Sequence, residues 1–244
     1  ALCNPDLATL LDEHLGAGWV TDLDQLEALR PLAADTALRQ RFTAIKRRNK
    51  ERLGSWLAGN VELQVDPDAL FEVHAKRIHE YKRQLMCVLH VLHRYLRLKA
   101  GQDTERPPRV VLFAGKAAPG YAVAKRIIEL VHAAAALVNG DPDLGGRLQV
   151  GFLPNYGVSL AEQLIPAADL SVQISTAGLQ ASGTGNMKFS LNGALTIGTL
   201  DGANIEIRDA VGPDNIFIFG HTAQELESFR QGGYDPGSLV DANP

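Results

Sequence analysis

The 244-residue sequence contains little cysteine and no long apolar run. Its two cysteines, Cys3 and Cys87, provide no disulfide framework, and this composition suits a reducing cytoplasm. No apolar stretch reaches the roughly 18 to 20 residues that a membrane-spanning helix requires. These absences argue against a disulfide-stabilised secreted domain and predict a cytoplasmic protein with no membrane partner.

The sequence also lacks an excess of positive charge and any spacing typical of a metal site. Its 24 lysines and arginines face 28 aspartates and glutamates, for a net charge of -4, which argues against a general nucleic-acid binder. Among the seven histidines, His90 and His93 share a helical stretch, but no nearby cysteine or carboxylate completes a ligand set. We therefore expect neither a nucleic-acid partner nor a metal ion.

Common catalytic signatures are missing too: a P-loop, the third glycine of a dinucleotide fingerprint, and a Gly-x-Ser-x-Gly elbow. The chain does contain a glycine-rich run at residues 174–188, which ends in Gly-Thr-Gly-Asn-Met-Lys. Glycine lets the backbone approach a ligand closely, and a helix beginning here would offer unpaired N–H groups to an anion. Lys188 in its first turn suits either a phosphate contact or a Schiff base with an aldehyde cofactor. A flexible turn without a ligand is the alternative interpretation.

From residue 70 onward, strand-like and helix-like stretches alternate, which predicts an α/β fold with a Rossmann-like, doubly wound parallel sheet. The first 60 residues predict only helices, which we interpret as a solvated layer without chemistry. The predicted helices are 7–15, one beginning near residue 22, 36–58, 79–100, 121–139, 159–164, a short one containing Lys188, and 222–230. The predicted strands are 70–75, 109–115, 148–153, 170–174, 195–200 and 216–219. The helix at 79–100 is expected to bury Leu85, Val88, Leu89, Leu92 and Leu96.

Ligands of such sheets bind beyond the carboxyl ends of the strands. Residues 76–83, Lys-Arg-Ile-His-Glu-Tyr-Lys-Arg, concentrate cations at that edge. Arg77 offers bidentate donors, and Lys76 and Lys82 offer point charges, so the segment is either an oxyanion site or a solvated charged face. A local basic cluster in a slightly acidic protein favours a small anion over a polymer. The same edge collects the turns at 115–120 and 201–204 and the aromatic Tyr156.

Together these stretches resemble one family, the α-glucan phosphorylases that act on glycogen, starch or maltodextrin. The likeness covers nearly the whole chain. The matching runs are residues 22–26, 76–84, 115–121, 159–162, 165–170 and, most strongly, 174–204.

The resemblance implies a GT-B-type glycosyltransferase of two Rossmann-like domains with the active site between them. Residues 1–244 would be most of the C-terminal, pyridoxal-phosphate-binding domain, with residues 1–60 as its helical segment. The N-terminal domain and the closing C-terminal helices would be absent, and the full-length protein would be a homodimer. The implied reaction transfers the terminal α-1,4-linked glucose of a glucan to inorganic phosphate, giving α-D-glucose 1-phosphate. The chain alone would be inactive, because half of the cleft is missing.

By the same resemblance, Lys188 would hold pyridoxal 5'-phosphate as a Schiff base, and the cofactor's phosphate would exchange a proton with the substrate phosphate. Lys76 would contact the cofactor phosphate, while Arg77 and Lys82 would clamp the substrate phosphate. These four residues are the implied catalytic set. Further cofactor contacts would come from Tyr156, Gly183, Thr184 and Gly185, and glucose contacts from Gln180, Ala181, Ser182 and Gly183.

Two positions depart from the family pattern. Gly157 stands where the family usually has an arginine that contacts the cofactor phosphate, and Gln180 where it usually has a glutamate that binds glucose hydroxyls. A charge-assisted contact is worth about 1.5 to 3 kcal/mol, and an amide accepts hydrogen bonds less strongly than a carboxylate. The departures motivate an alternative, a non-catalytic glucan-binding or regulatory homologue. A nucleotide-sugar glycosyltransferase such as a glycogen synthase shares the architecture, but a Schiff-base lysine has no role there.

Overall fold

The computed structural model describes residues 2–180 and 183–242, apart from the side chain of Leu239. Its strands are β1 (Leu70–Ala75), β2 (Arg109–Ala114), β3 (Leu148–Leu153), β4 (Leu170–Gln173), β5 (Leu195–Gly198) and β6 (Phe217–Ile218). Its helices are α1 (Pro5–Leu15), α2 (Thr36–Val61), α3 (Gln84–Lys99), α4 (Ala122–Asn139), α5 (Val158–Ala167), α6 (Gly185–Leu191), α7 (Asn204–Val211), α8 (Ala223–Gln231) and α9 (Pro236–Asp241).

The strands form one parallel sheet in the order β3-β2-β1-β4-β5-β6. Strands of such sheets are covered on both faces and therefore read as continuous apolar runs, as in β2, where all residues from Val110 to Ala114 are buried. Two clusters of buried side chains, one centred on Phe71 and one on Phe113, fill the opposite faces of the sheet. The order is that of doubly wound domains, and the predicted α/β fold with a parallel sheet is confirmed.

The prediction for α3 was wrong in its start and in its buried face. A 3₁₀ turn occupies Glu80–Lys82, and Arg83 has a left-handed φ of 58°, so the helix begins only at Gln84. The side chains of Leu85, Leu89 and Leu96 are 45%, 56% and 64% exposed. Val88 is buried as predicted, and the other buried side chains are Gln84, Cys87, Val91 and Arg94. Apolar residues lie on more than one side of this helix, so periodicity alone cannot identify the side that packs on the sheet.

The prediction that the first 60 residues are a solvated layer was also wrong for α2. Three polar side chains of this helix, Lys46, Asn49 and Lys50, are buried. Lys50 pairs with the carboxylate of Asp169 at 2.5 Å and donates to the Ala69 carbonyl at 2.9 Å. The helical layer is thus joined to the sheet by polar contacts as well as by apolar packing.

Smaller differences have local causes. The segment near residue 22 is a 3₁₀ helix, Leu23–Ala34, and its Pro31 lacks the N–H that an α-helix would use at that position. The turn predicted at 201–204 leads directly into α7, and α9 was not predicted. Within residues 2–180 and 183–242, no helix has the length and apolar character needed to cross a membrane, and no group of three or more metal-ligating side chains is found.

Candidate functional site

The candidate site lies where the strand order reverses. From β1 the chain continues to β2 on one side, whereas β4 is followed by β5 on the other, and β1 and β4 are neighbours. Lys76 directly follows β1, and the glycine-rich run directly follows β4. The divergence of the connections at this point creates the crevice in which doubly wound sheets bind ligands.

The backbone of the basic segment at residues 76–83 is fixed by close packing and hydrogen bonds. A Cβ atom on Gly115 would collide with the Lys76 carbonyl, so glycine is required for β2 to leave the sheet beside this segment. The Ile78 amide donates to the Lys116 carbonyl at 3.1 Å, and the Gln84 side chain donates to the Arg77 carbonyl at 3.0 Å. The cations are therefore presented by a constrained turn.

Hydrogen bonds join the basic segment to the glycine-rich run. The Thr176 amide donates to the Tyr81 carbonyl at 2.8 Å, and the Arg83 guanidinium donates to the Ile174 carbonyl at 2.5 Å. The Lys82 ammonium also donates to the Oε1 atom of Gln180. Two parts of the sequence about 100 residues apart thus form one structure.

Asp201 holds the glycine-rich run from its other side. Its carboxylate accepts from the Gly178 amide at 3.0 Å and from the Gln180 amide at 2.9 Å. The sequence singled out residues 201–204 only as a turn, so this role was missed. An aspartate at the end of a predicted strand, in a turn-forming Asp-Gly pair, was the available signal in the sequence.

The cationic side chains of the basic segment differ in burial and in the hydrogen-bond partners that they have. Burial lowers the pKa of Lys76 to about 8; repulsion by Lys82 adds to this shift, and attraction to Asp201 opposes it. Within the described residues, the Lys76 ammonium makes no hydrogen bond or ion pair, whereas Lys82 is buried against Gln180 and lies 4.5 Å from the ring centroid of Tyr81. Arg77 is exposed. A largely buried ammonium without an acceptor is costly, so this crevice favours an anionic ligand.

Lys188 lies in the middle of α6, a helix of seven residues, and its side chain is exposed. Its amide donates to the Thr184 carbonyl at 3.1 Å, and Thr184 is itself exposed. An added Cβ would meet nothing within 4 Å at Gly185 and only an ordinary 3.4 Å contact at Gly183. Packing against the protein therefore does not explain these glycines, whereas close approach by a ligand would.

The far end of α6 is attached to the helical layer by a buried polar cluster that sequence reasoning missed. Lys46 donates to the carbonyl of Asn192 at 3.3 Å, and also to the carbonyls of Pro166 at 2.8 Å and of Ala168. The Asn192 side chain accepts from Asn4 at 3.0 Å and donates to the Lys188 carbonyl at 2.8 Å. The helix that carries Lys188 is thus positioned by α1 and α2. Charged and amide side chains interrupting an apolar face of α2 were the only signal in the sequence.

Tyr156 and Gly157 lie between β3 and α5. Tyr156 is half-buried against the apolar cluster on the α5 side of the sheet, and burial raises the pKa of its hydroxyl. Gly157 has an extended backbone, and its nearest potential Cβ contact is the Asn155 carbonyl at 3.6 Å, so the backbone there accepts a Cβ atom without strain. Among the described contacts, no hydrogen bond or ion pair connects Tyr156 or Lys188 to the basic segment. Ala181 and Ser182 lie outside the described residues.

Comparison with known proteins shows that the chain is similar to members of one family. The family described as carbohydrate phosphorylase matches residues 1–244. The chain is 51% identical over 242 residues to a glycogen phosphorylase of Synechocystis sp., covering 99% of this chain and 28% of that protein. It is 51% identical over 243 residues to the brain form of glycogen phosphorylase of Bos taurus, covering 100% of this chain and 29% of that protein. The chain thus spans less than a third of the length of these relatives.

Proposed function

Because the chain belongs to the carbohydrate phosphorylase family, we propose that it forms most of the cofactor-binding domain of an α-glucan phosphorylase. The whole protein would transfer the terminal α-1,4-linked glucose of a glucan to phosphate, releasing α-D-glucose 1-phosphate. The observation that carries this proposal is the largely buried Lys76 ammonium, which has no described acceptor and lies beside Lys82 at the switch point of the sheet.

The proposal includes a second domain that faces this edge of the sheet and completes a GT-B-type cleft. The relatives are more than three times as long as this chain, which leaves ample length for such a domain. We expect the chain alone to be inactive for this reason. A cytoplasmic homodimer is the form that we propose for the full-length protein.

The described residues fit pyridoxal 5'-phosphate as the cofactor. Lys188 presents an exposed amine suited to an aldehyde, and Lys76 presents an unpaired charge suited to a phosphate. When bound, the cofactor supplies a phosphate group that exchanges a proton with the substrate phosphate. Gly183, Thr184 and Gly185 would border it without crowding, since the space beside these glycines is open or in ordinary contact.

The protein's own contribution to the reaction would be charge compensation and positioning. Two unit charges 4 Å apart repel by about 4 kcal/mol at an effective dielectric constant of 20, so neighbouring phosphates need nearby cations. Lys76 would compensate the cofactor phosphate, and Lys82 and exposed Arg77 would bind the substrate phosphate. Gln180 already orients the Lys82 ammonium, but as a neutral amide it leaves the positive charge of Lys82 uncompensated. In the proposed site this charge is available to substrate.

Cofactor attachment gives the most direct test of the proposal. The full-length protein would be incubated with pyridoxal 5'-phosphate, reduced with borohydride and mapped by mass spectrometry. We expect an adduct confined to Lys188, absent from Lys188→Arg and retained in Lys125→Arg, which alters an exposed lysine of α4. An adduct spread over surface lysines would contradict the proposed site.

A second comparison tests the phosphate contact of Lys76. Lys76→Met is expected to lower labelling by pyridoxal 5'-phosphate about tenfold or more, because a charge-assisted contact is lost. Labelling by pyridoxal, which has no phosphate, should not change. Equal losses with both aldehydes would show that the substitution disturbs the site generally and would remove the assigned role.

The non-catalytic alternative is motivated by Gly157 and Gln180. Phosphate-dependent release of glucose 1-phosphate by the full-length protein would support the proposed function. Glucan binding without turnover, persisting after Gly157→Arg and Gln180→Glu, would instead favour a binding or regulatory homologue. An added Cβ at Gly157 makes only an ordinary 3.6 Å contact, and a thermal melt of the arginine variant would check that its fold is retained.

A further inference from the structure

A second cationic site, a cavity, lies toward the opposite end of the strands from the candidate active site. It is formed by the C-terminal half of α3 and the loop that leads to β2, near the amino ends of the strands. Its volume is about 360 Å³, within the range of small-molecule sites. The residues that line it are His90, His93, Arg94, Arg97, Asp103 and Arg106.

The carboxylates in and beneath this cavity are already paired. Asp103 accepts from Arg97 at 2.5 and 3.1 Å and pairs with Arg106 at 3.1 Å. Glu72, buried under the cavity, pairs with Arg109 at 2.6 Å. Each acid is thus engaged by at least one guanidinium, and the cluster retains an excess of positive charge.

Arg94 is the arginine of this cluster that pairs with neither carboxylate. It is only 5% exposed, and its Nε atom is buried without a hydrogen-bond partner. Nowhere in residues 2–180 and 183–242 does its side chain make a hydrogen bond or ion pair. Burial lowers its pKa, and repulsion by Arg109 and Arg106 adds to that effect, whereas attraction to Glu72 and Asp103, which other arginines already engage, opposes it. A buried guanidinium without a hydrogen-bonded acceptor, in a cluster with an excess of positive charge, favours a bound anion.

We propose that this cavity binds a small phosphate-type dianion, such as inorganic phosphate or a phosphate monoester. Arg94 would contact the dianion through two N–H groups of its guanidinium, whose spacing matches two phosphate oxygens. His93 and Arg97 would lie at the rim of the cavity. The cavity is separate from the candidate active site. Lys76 follows the carboxyl end of β1, whereas Glu72 lies four residues earlier, about 13 Å along the strand.

The test uses a readout local to the cavity, because phosphate is also expected to bind at the candidate active site. Carbethoxylation of His90 and His93 by diethyl pyrocarbonate would be followed by peptide mass spectrometry in the full-length protein, at increasing concentrations of inorganic phosphate. His221, an exposed histidine after β6, serves as the internal reference. We expect phosphate to slow the labelling of His90 and His93 but not of His221.

Variants assign this protection to Arg94. Arg94→Met should raise the half-protecting phosphate concentration at least about tenfold, since a charge-assisted contact is lost. Arg97→Met should also weaken protection, because it leaves the carboxylate of Asp103 less neutralised. Arg126→Met, on the exposed side of α4, should leave protection within about twofold, as expected for an exposed distant charge.

The stability of Arg94→Met provides an independent check. If Arg94 awaits an anion, its removal in phosphate-free buffer should leave the melting temperature unchanged or raise it. A large fall in melting temperature would mean that Arg94 stabilises the fold without an anion, through packing or attraction to Glu72, and would overturn the proposal. Unchanged protection in Arg94→Met, or no protection by phosphate in the parent protein, would overturn it as well.

Discussion

The contact between Gly193 and Phe42 offers a quantitative test of how the helical layer positions α6. Gly193 follows α6 with a φ of 78°, and a Cβ atom there would collide with the Phe42 ring of α2, its Cε2 atom lying at only 2.9 Å. Gly193→Ala therefore meets two penalties. The left-handed backbone costs about 1 to 2 kcal/mol for alanine, and overpacking costs about 1 to 3 kcal/mol. We expect a loss of about 2 to 5 kcal/mol in the free energy of unfolding.

A double-mutant cycle separates these two penalties. Phe42→Leu shortens the ring side chain and should remove the overpacking, so that Gly193→Ala costs only about 1 to 2 kcal/mol in the Phe42→Leu background. Urea unfolding of the parent, both single variants and the double variant gives the coupling energy. A coupling below about 0.5 kcal/mol, the usual limit for independent sites, would refute the reasoning.

The matched control is the same substitution elsewhere in the helical layer. Gly59 lies inside α2, and an added Cβ would meet nothing within 4 Å. Gly59→Ala should therefore stabilise the protein by about 0.5 to 1 kcal/mol, the usual advantage of alanine inside a helix. If the same Gly→Ala change lowers the free energy of unfolding at position 193 and raises it at position 59, the local environment, including the contact with Phe42, determines the effect.

Three further predictions concern other contacts. Burial lowers the pKa of Lys46 to about 8, below its unfolded value near 10.5, so between these pH values the unfolded chain holds a proton that the folded chain has released. The free energy of unfolding should therefore rise with pH across this window by up to about 3 kcal/mol. Urea unfolding of Lys46→Met, measured over the same pH range, should lack the rise. Asp201→Ala should cost about 1.5 to 3 kcal/mol because the amides of Gly178 and Gln180 lose a charged acceptor, and hydrogen exchange of these amides should accelerate. Thr222→Ala should cost about 1 kcal/mol by removing the capping box of α8, measured by thermal unfolding; no change would mean that this helix contributes little to global stability.

Much of the fold could be predicted from the sequence because strands buried on both faces read as apolar runs. The runs at β1, β2 and β3 were assigned within about a residue of their observed bounds. Turn chemistry was harder to predict. Arg83 adopts the left-handed conformation, so α3 begins only at Gln84. An arginine side chain does not indicate that conformation, and the start of this helix was therefore predicted at residue 79.

The sequence predicted which segments meet at the candidate site, and their ligand chemistry stays a prediction. Residues 76–83 and 174–188 carry cations and glycines at strand ends, and parallel strand order brings those ends to one edge. The roles of individual residues, including Lys188 and Tyr156, rest on the family resemblance and stay predictions until the cofactor is mapped. The hydrogen bond between Lys82 and Gln180 could not be foreseen, because it joins residues 98 apart in the chain.

The alternation of strands and helices, the family, and the segments that carry charge could all be read from the sequence, since each depends on local pattern. Which polar side chains are buried, and what they contact, depends on the three-dimensional fold. Lys46 looks like one of many basic residues on a helix, yet it reaches a carbonyl 122 residues away. Arg94 looks equally ordinary, yet it is buried while its neighbouring acids are paired elsewhere. Burial and pairing depend on which distant segments meet, and local sequence does not contain that information.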